Sequence, residues 1–157
     1  MRRVSEGRKD TMILITGGAY QGKREYARKR WNIETEEMAD GKTCAPEAIK
    51  SSRLVFNLQA LVRRMLEKTD VPGDTAEEAS DVTLPDEGPG IQERIRALAA
   101  QNPDVILITD EIGCGIIPMN AFERRYREEA GRLSCALAAE AEEVVRVVCG
   151  VAVKLKG

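Results

Sequence analysis

The chain contains 157 residues, of which 43% are hydrophobic, so it is long enough for one domain with a sizeable core. Its formal net charge is −2 and its isoelectric point is about 5.4, which argues against binding to nucleic acid or anionic lipid through a general positive field. It contains no histidine, which excludes histidine metal ligands and nucleophiles activated by imidazole.

The cysteine pattern and the lack of long apolar runs favour a cytoplasmic protein. Cys44, Cys114, Cys135 and Cys149 are scattered without CxxC pairs, which favours reduced thiols over a zinc site. No apolar run approaches the roughly 20 residues of a membrane span. Residues 1–10 are basic and lack the apolar core of a signal peptide, so we expect a disordered arm.

The first predicted unit is a phosphate-binding loop between a strand and a helix. Thr11–Thr16 is an apolar run typical of a buried parallel strand, and Lys23–Trp31 has the pattern of a helix. The GxxxxGK part of a P-loop lies between them, and backbone N–H groups of such a loop cradle phosphate. Lys23 would neutralise the transferred phosphate. The predicted nucleotide site comprises Gly17, Gly18, Ala19, Tyr20, Gln21, Gly22, Lys23 and Arg24.

Arg24 departs from this motif, because it stands where a P-loop has Ser or Thr. That hydroxyl normally gives Mg²⁺ an oxygen ligand, whereas arginine has only hydrogen-bond donors. Either the metal is held by phosphate oxygens, water and an acid elsewhere, or the metal chemistry has been lost.

The middle of the chain gives weaker signals. Asn32–Pro46 is polar and predicts a loop or a short helical turn, and Pro46–Ser52 predicts one more turn. Arg53–Asn57 is a candidate strand before a helix over Leu58–Lys68, although a single helix over Ala48–Lys68 fits nearly as well. Residues 69–90 are rich in Asp, Glu, Pro and Gly and lack Lys and Arg, which favours a mobile surface insertion over an acidic lid.

The remaining elements complete an alternation of strands and helices. Ile91–Ala100 and Met119–Glu142 have helical apolar spacing, Val105–Thr109 predicts a buried strand, and Val144–Val148 predicts a strand before a final alternating VAVKLK. This order predicts a single α/β domain over residues 11–157, with a three-layer, mostly parallel sheet and helices on both faces.

Acids and arginines supply the candidate metal and substrate contacts. Asp110 and Glu111 directly follow Val105–Thr109, and ligands of open α/β sheets bind beyond the carboxyl ends of the strands. An apolar strand that ends in an acid is the Walker B pattern, so we predict that Asp110 or Glu111 binds Mg²⁺. Arg127 and Arg132 are candidates for a phosphate or substrate clamp, the alternative being a solvated helix face.

A family resemblance is carried by two blocks, ILITGGAYQGK and ITDEIGCGIIPMNAFERRYREEAGRLSCALAAEAEEVVRVVCGVAVKLK. They resemble the bifunctional adenosylcobinamide kinase and adenosylcobinamide-phosphate guanylyltransferase family of cobalamin biosynthesis, which reads GGARSGKS, TNEVGxGIVPxN and FRDxAGRxNQxxA at the corresponding places. The resemblance implies a RecA-like P-loop sheet, ATP or GTP with Mg²⁺, the corrinoid substrate adenosylcobinamide, and a homo-oligomer. It matches Glu111 to the family's acid, and Arg127 and Arg132 to its FR and GR pairs.

Several positions depart from the family pattern. Arg24 replaces the P-loop Ser, Asp110 replaces Asn, and the histidine that carries GMP in the family is missing. Met38 stands near that position in a weak local match, and a thioether cannot accept a nucleotidyl group. We therefore expect phosphorylation of the adenosylcobinamide hydroxyl without histidine-linked guanylyl transfer.

Three alternatives remain open from the sequence. The first is a non-catalytic nucleotide or corrinoid binder, and the second is a P-loop kinase for another small molecule. The third is nucleotidyl transfer through Lys42 or Cys44, which lie in the loop near the expected acceptor region.

Overall fold

The computed structural model describes residues 11–69, 90–113 and 120–157. The predicted arm over residues 1–10, residues 70–89 of the predicted insertion, and Cys114 lie outside the described residues. Within them, six strands form one sheet in the order β2-β3-β4-β1-β5-β6. The strands are β1 (Ile13–Thr16), β2 (Met38–Asp40), β3 (Leu54–Phe56), β4 (Ile106–Ile108), β5 (Glu143–Val148) and β6 (Val151–Lys156). The first five run parallel, and β6 is antiparallel to β5.

Four α-helices of the described residues pack against the two faces of this sheet. They are α1 (Lys23–Trp31), α2 (Leu58–Thr69), α3 (Ile91–Ala100) and α4 (Ala121–Glu140), and short 3₁₀ turns cover Thr35–Glu37 and Pro46–Lys50. The arrangement confirms the predicted three-layer, mostly parallel α/β fold of P-loop type. None of these helices is both long enough and apolar enough to cross a membrane.

Alternate side chains of the strands pack into two apolar cores, one on each face of the sheet. In β1, Leu14 packs with buried residues of α2, α3 and α4, whereas Ile15 packs on the opposite face with Ala27 of α1. Successive strand residues point to opposite faces, so a strand buried on both faces becomes a continuous apolar run. This explains why β1 and β4 are so clear in the sequence.

Two expectations for the middle of the chain need correction. The predicted loop Asn32–Pro46 contains strand β2, which pairs in parallel with β3 at the edge of the sheet. This strand is only three residues long and all three are partly buried, so it has no period-two signal. The alternative of a single helix over Ala48–Lys68 is wrong, because Leu54–Phe56 is the β3 strand.

The β5–β6 hairpin closes through a two-residue turn. Both turn residues have positive φ, 50° at Cys149 and 76° at Gly150, as in type I′ hairpin turns. This turn follows the carboxyl end of β5. Since β1 and β5 are parallel, it lies at the same end of the strands as the glycine-rich loop, which follows β1.

Candidate active site

The glycine-rich loop leaves β1 and packs closely on the neighbouring strand β5. Gly17 has φ 149°, and a Cβ built there would lie 2.4 Å from the carbonyl oxygen of Val147. Gly22, which caps α1, has φ 88°. Any larger residue at Gly17 would therefore push the loop off the sheet, and the two glycines of the predicted motif have a physical reason to be glycine.

Lys23 links the loop to the end of β4. Its side chain is only 6% exposed, and Nζ lies 2.5 Å from the carbonyl oxygen of Gly18 and 2.7 Å from Oδ1 of Asp110. A buried ammonium group requires such partners, because its desolvation is costly. Lys23 is thus a cation held between the loop and an acid, at the place where a bound phosphate would compete with Asp110 for it.

The two acids that follow β4 point to different partners. Asp110 lines the cleft beside the loop and pairs with Lys23. Glu111 instead accepts two hydrogen bonds from Arg146 of β5, at 2.8 and 3.0 Å, while its backbone N–H donates to Gly17 at 2.8 Å. Of the two predicted metal ligands, Asp110 is the one whose carboxylate is on the cleft wall.

The donor set fits Mg²⁺ only with help from a bound nucleotide. Mg²⁺ is commonly held by one or two carboxylates together with substrate phosphates and water. Asp110 meets this requirement, and Arg24 offers no lone pair. The described residues contain no group of three or more His, Cys, Asp or Glu side chains that could hold an ion by themselves.

Arg24 has a defined environment despite its unusual position in the motif. Its guanidinium carbon lies 4.9 Å from the ring centroid of Phe56, the last residue of β3. This is a cation–π contact, which orients the positive head without neutralising it. Both residues line the cleft, so Arg24 presents a charge to the space in front of the loop.

The cleft has a volume of about 390 Å³. Two cavities of about 490 and 460 Å³ are larger, but neither borders the glycine-rich loop. We identify the site by its phosphate-binding chemistry rather than by its size. Its walls are formed by residues 19–25 together with Lys42, Phe56, Asn57, Gln59, Ile108 and Asp110.

The turn after β2 brings Lys42 to the cleft. Asp40 Oδ1 accepts hydrogen bonds from the backbone N–H of Lys42 and from the Asn57 side chain, both at 2.9 Å. Gly41 donates to the carbonyl of Phe56 at 2.8 Å, and a Cβ at Gly41 would lie 2.1 Å from the Asn57 carbonyl oxygen. These contacts fix the turn against the end of β3, so the cleft gains a further cation.

Gln21 ties the glycine-rich loop to the β5–β6 turn. Its backbone carbonyl accepts a hydrogen bond from Gly150 at 2.8 Å, and its side-chain Oε1 accepts one from the backbone N–H of Cys149 at 2.7 Å. The loop is therefore held by hydrogen bonds as well as by the close approach of Gly17 to β5.

The two clamp candidates on α4 are not on the cleft wall. Arg132 is exposed and forms an ion pair with Glu128 one turn earlier on the same helix. Arg127 is half-buried and contributes weakly to the lowered pKa of Glu123, whose main cause is a hydrogen bond from Arg63. A contact of either arginine with substrate stays a prediction.

Met38 and Cys44 lie apart from the phosphate site. Met38 is the first residue of β2, so it is at the amino end of the parallel strands, whereas the glycine-rich loop follows the carboxyl end of β1. Cys44 does not line the cleft, and burial raises the pKa of its thiol, which disfavours the nucleophilic thiolate. Lys42 is the one of the two alternative nucleophiles that borders the cleft.

Among the cleft residues that sequence reasoning missed, Phe56, Asn57 and Gln59 lie together in the chain. They follow or end the predicted strand Arg53–Asn57. The rule that places ligands beyond the carboxyl ends of parallel strands singles out Asp110 and Glu111, and it applies equally to this second strand. That signal was available, but the uncertain strand boundary obscured it.

Comparison with known proteins assigns a family to this arrangement. The family described as cobinamide kinase / cobinamide phosphate guanyltransferase matches residues 28–155, a range that begins after the glycine-rich loop. The bifunctional adenosylcobalamin biosynthesis protein CobU of Salmonella typhimurium is 28% identical to the chain, over 92% of the chain and 99% of its own length. CobU of Escherichia coli gives the same values. The bifunctional protein CobP of Pseudomonas aeruginosa is 42% identical over 34% of the chain and 31% of its own length.

Proposed function

The chain belongs to the cobinamide kinase / cobinamide phosphate guanyltransferase family, and from this premise we propose that it phosphorylates the hydroxyl of adenosylcobinamide with ATP or GTP. The observation that carries the proposal is Lys23, a buried cation between the glycine-rich loop and Asp110. Phosphoryl transfer requires positioning and charge neutralisation more than covalent chemistry by the protein. The cleft supplies both through its loop and its cations.

In the proposed reaction, the acceptor hydroxyl oxygen forms a bond to the γ-phosphorus of the nucleotide. The bond from that phosphorus to the β–γ bridging oxygen breaks, and the nucleoside diphosphate leaves with the electron pair. The hydroxyl proton is released to water. Lys23 leaves Asp110 to pair with the γ-phosphate, and the loop N–H groups hold the β-phosphate.

Mg²⁺ would neutralise phosphate charge in this site, with Asp110 as its carboxylate ligand. Glu111 is not proposed as a direct ligand, because Arg146 holds both of its carboxylate oxygens. We propose that Arg24 contacts phosphate directly, since its guanidinium faces the cleft from the Phe56 ring.

The second activity in the family's description is guanylyl transfer to cobinamide phosphate. We propose that this chain does not transfer a guanylyl group through a histidine. The chain has no histidine to carry GMP as a phosphoramidate. Intact-mass measurement after incubation with GTP should show no added nucleotide. A mass increase of one GMP, mapped to Lys42, would contradict this expectation and establish a lysine-linked route.

The kinase proposal is tested with purified protein, adenosylcobinamide, Mg²⁺, and ATP or GTP. We expect a phosphorylated corrinoid and an equal amount of nucleoside diphosphate. Nucleotide binding without any phosphorylated corrinoid would contradict the kinase proposal and favour a non-catalytic binder. Phosphorylation of another acceptor in preference to the corrinoid would favour a different substrate.

Substitution of Arg24 by Ser distinguishes a direct phosphate contact from a lost metal contact. We expect Arg24→Ser to lower nucleotide affinity and turnover about tenfold, because a charge-assisted hydrogen bond is lost. The matched control is Lys29→Ser, which removes an exposed cation from the same helix outside the cleft. A rise in Mg²⁺-dependent turnover of Arg24→Ser would instead show that the missing hydroxyl limits the reaction.

The homo-oligomer and the cytoplasmic location remain proposals. Three large apolar side chains of the edge strand β6 are exposed, Val151, Val153 and Leu155, which supports association of copies. Light scattering on the purified protein measures the oligomeric state, and a monomer at micromolar concentration would contradict association.

A further inference from the structure

Gln59 is a buried polar side chain on the wall of the phosphate cleft. It is the second residue of α2 and is only 8% exposed. A buried amide without hydrogen-bond partners is destabilising, so both ends of this side chain need an explanation. The cleft that it lines also contains Lys23 and Asp110.

The oxygen of the Gln59 amide has a fixed role. The backbone N–H of Asp110 donates to Gln59 Oε1 at 3.0 Å. A backbone N–H can only donate, so this contact determines which end of the amide is oxygen and which is nitrogen. The nitrogen, with two hydrogens, must therefore face away from the Asp110 backbone.

The nitrogen of the amide has no such partner. Within residues 11–69, 90–113 and 120–157, no acceptor is hydrogen-bonded to Gln59 Nε2, and the Gln59 side chain has no hydrogen bond besides the one from Asp110. Nε2 is not completely enclosed by the protein and keeps a small accessible surface. Because Gln59 lines the cleft, a ligand bound there is a candidate acceptor for these hydrogens.

The backbone of Gln59 is anchored separately. The Tyr126 hydroxyl of α4 donates to the Gln59 carbonyl at 3.0 Å. Burial raises the pKa of Tyr126 to about 12, so its hydroxyl keeps its proton over the neutral range. An anchor for Asp110 would need only an oxygen at the end of the Gln59 side chain. The amide nitrogen adds two donors for which the described part of the chain provides no acceptor.

We propose that Gln59 is a catalytic residue, whose Nε2 donates a hydrogen bond to a non-bridging oxygen of the transferred phosphoryl group. This inference rests on the proposed phosphotransferase function. Charge in phosphoryl transfer is spread over the equatorial oxygens of the moving group, and a fixed neutral donor in a dry site stabilises it. In this proposal Lys23 provides the positive charge, and Gln59 provides a hydrogen bond that orients the transferred phosphoryl group.

Two variants test the donor role. Gln59→Met removes the amide without adding charge, and Gln59→Glu keeps an oxygen for the Asp110 N–H while removing both donors. We expect each to lower kcat for phosphoryl transfer about 100-fold, the effect of losing one transition-state donor. Nucleoside diphosphate lacks the transferred group, so the Kd of Gln59→Met for it should stay within about threefold.

The matched control is Gln92→Met, which removes a half-buried amide that donates to Glu129, and neither of these residues lines the cleft. Its kcat should equal that of the wild type. Wild-type kcat in either Gln59 variant would overturn the inference. An equal loss of diphosphate affinity in Gln59→Met would also overturn it, since Gln59 would then be a structural tie.

Failure of the proposed function gives a different pattern. A wild-type protein that binds nucleotide but phosphorylates no corrinoid contradicts the kinase proposal alone. Gln59 is then tested by the ratio of triphosphate to diphosphate affinity, which Gln59→Met should lower about tenfold. An unchanged ratio overturns the inference, and a wild-type protein that binds no nucleotide overturns both proposals.

Discussion

Replacement of Lys23 by Met is expected to lower phosphoryl transfer about 1,000-fold, the upper range for one electrostatic group in a catalytic site. The side chain is 6% exposed and is held 2.7 Å from Asp110 beside the glycine-rich loop, so the substitution removes the buried cation of the site. Single-turnover kinetics with radiolabelled nucleotide would measure the chemical step. Lys23→Arg should not restore activity, because the larger planar guanidinium does not fit the space of an ammonium group.

The control for this substitution lies on the same helix. Lys29→Met removes a lysine that is 77% exposed and pairs with Glu25, and we expect wild-type activity. Thermal unfolding of Lys23→Met should be checked, since the change leaves Asp110 without its partner. Asp110→Asn in the same background removes that unpaired charge. If the double variant regained activity, Lys23 would be important for the fold rather than for catalysis.

Replacement of Gly41 by Ala is expected to destabilise the fold by about 3 kcal/mol, the cost of forcing an atom into a packed site. The added Cβ would lie 2.1 Å from the Asn57 carbonyl oxygen, so the β2 and β3 ends must separate. Urea unfolding monitored by circular dichroism would measure the loss. Nucleotide affinity should fall as well, because the same displacement moves Lys42 away from the cleft.

Gly131 provides the comparison for Gly41. It lies within α4, and a Cβ built there meets no atom within 4 Å. Gly131→Ala should therefore stabilise the protein by about 0.5–1 kcal/mol through the higher helix propensity of alanine. Equal effects of the two substitutions would show that the close approach at Gly41 does not control stability.

Patterns of neighbouring residues were enough to predict several helices and the buried strands. The helix bounds Lys23–Trp31 and Ile91–Ala100 were predicted as they occur, because apolar spacing and helix-breaking residues define them within a few positions. The buried strands were clear for the same reason. Strand β2 was missed because its three residues form a strand only by pairing with β3.

The division of roles between Asp110 and Glu111 was not accessible from the sequence. Adjacent acids after a strand are equivalent in a motif, and what separates them is Arg146, 35 residues later on β5. The orientation of the Gln59 side chain on α2 depends in the same way on the backbone N–H of Asp110, which follows β4. Motifs therefore located the site, and long-range pairing determined which side chains face it.

The hydrogen bonds between Gln21 and the β5–β6 turn have a consequence for ligand binding. A flexible phosphate loop must lose conformational entropy when it closes on its ligand, and that loss weakens affinity. Here Cys149 and Gly150 already hold the loop through its backbone and its side chain. The loop therefore loses most of its conformational entropy on folding rather than on binding. Such a preorganised loop binds phosphate more tightly than a flexible loop with the same contacts.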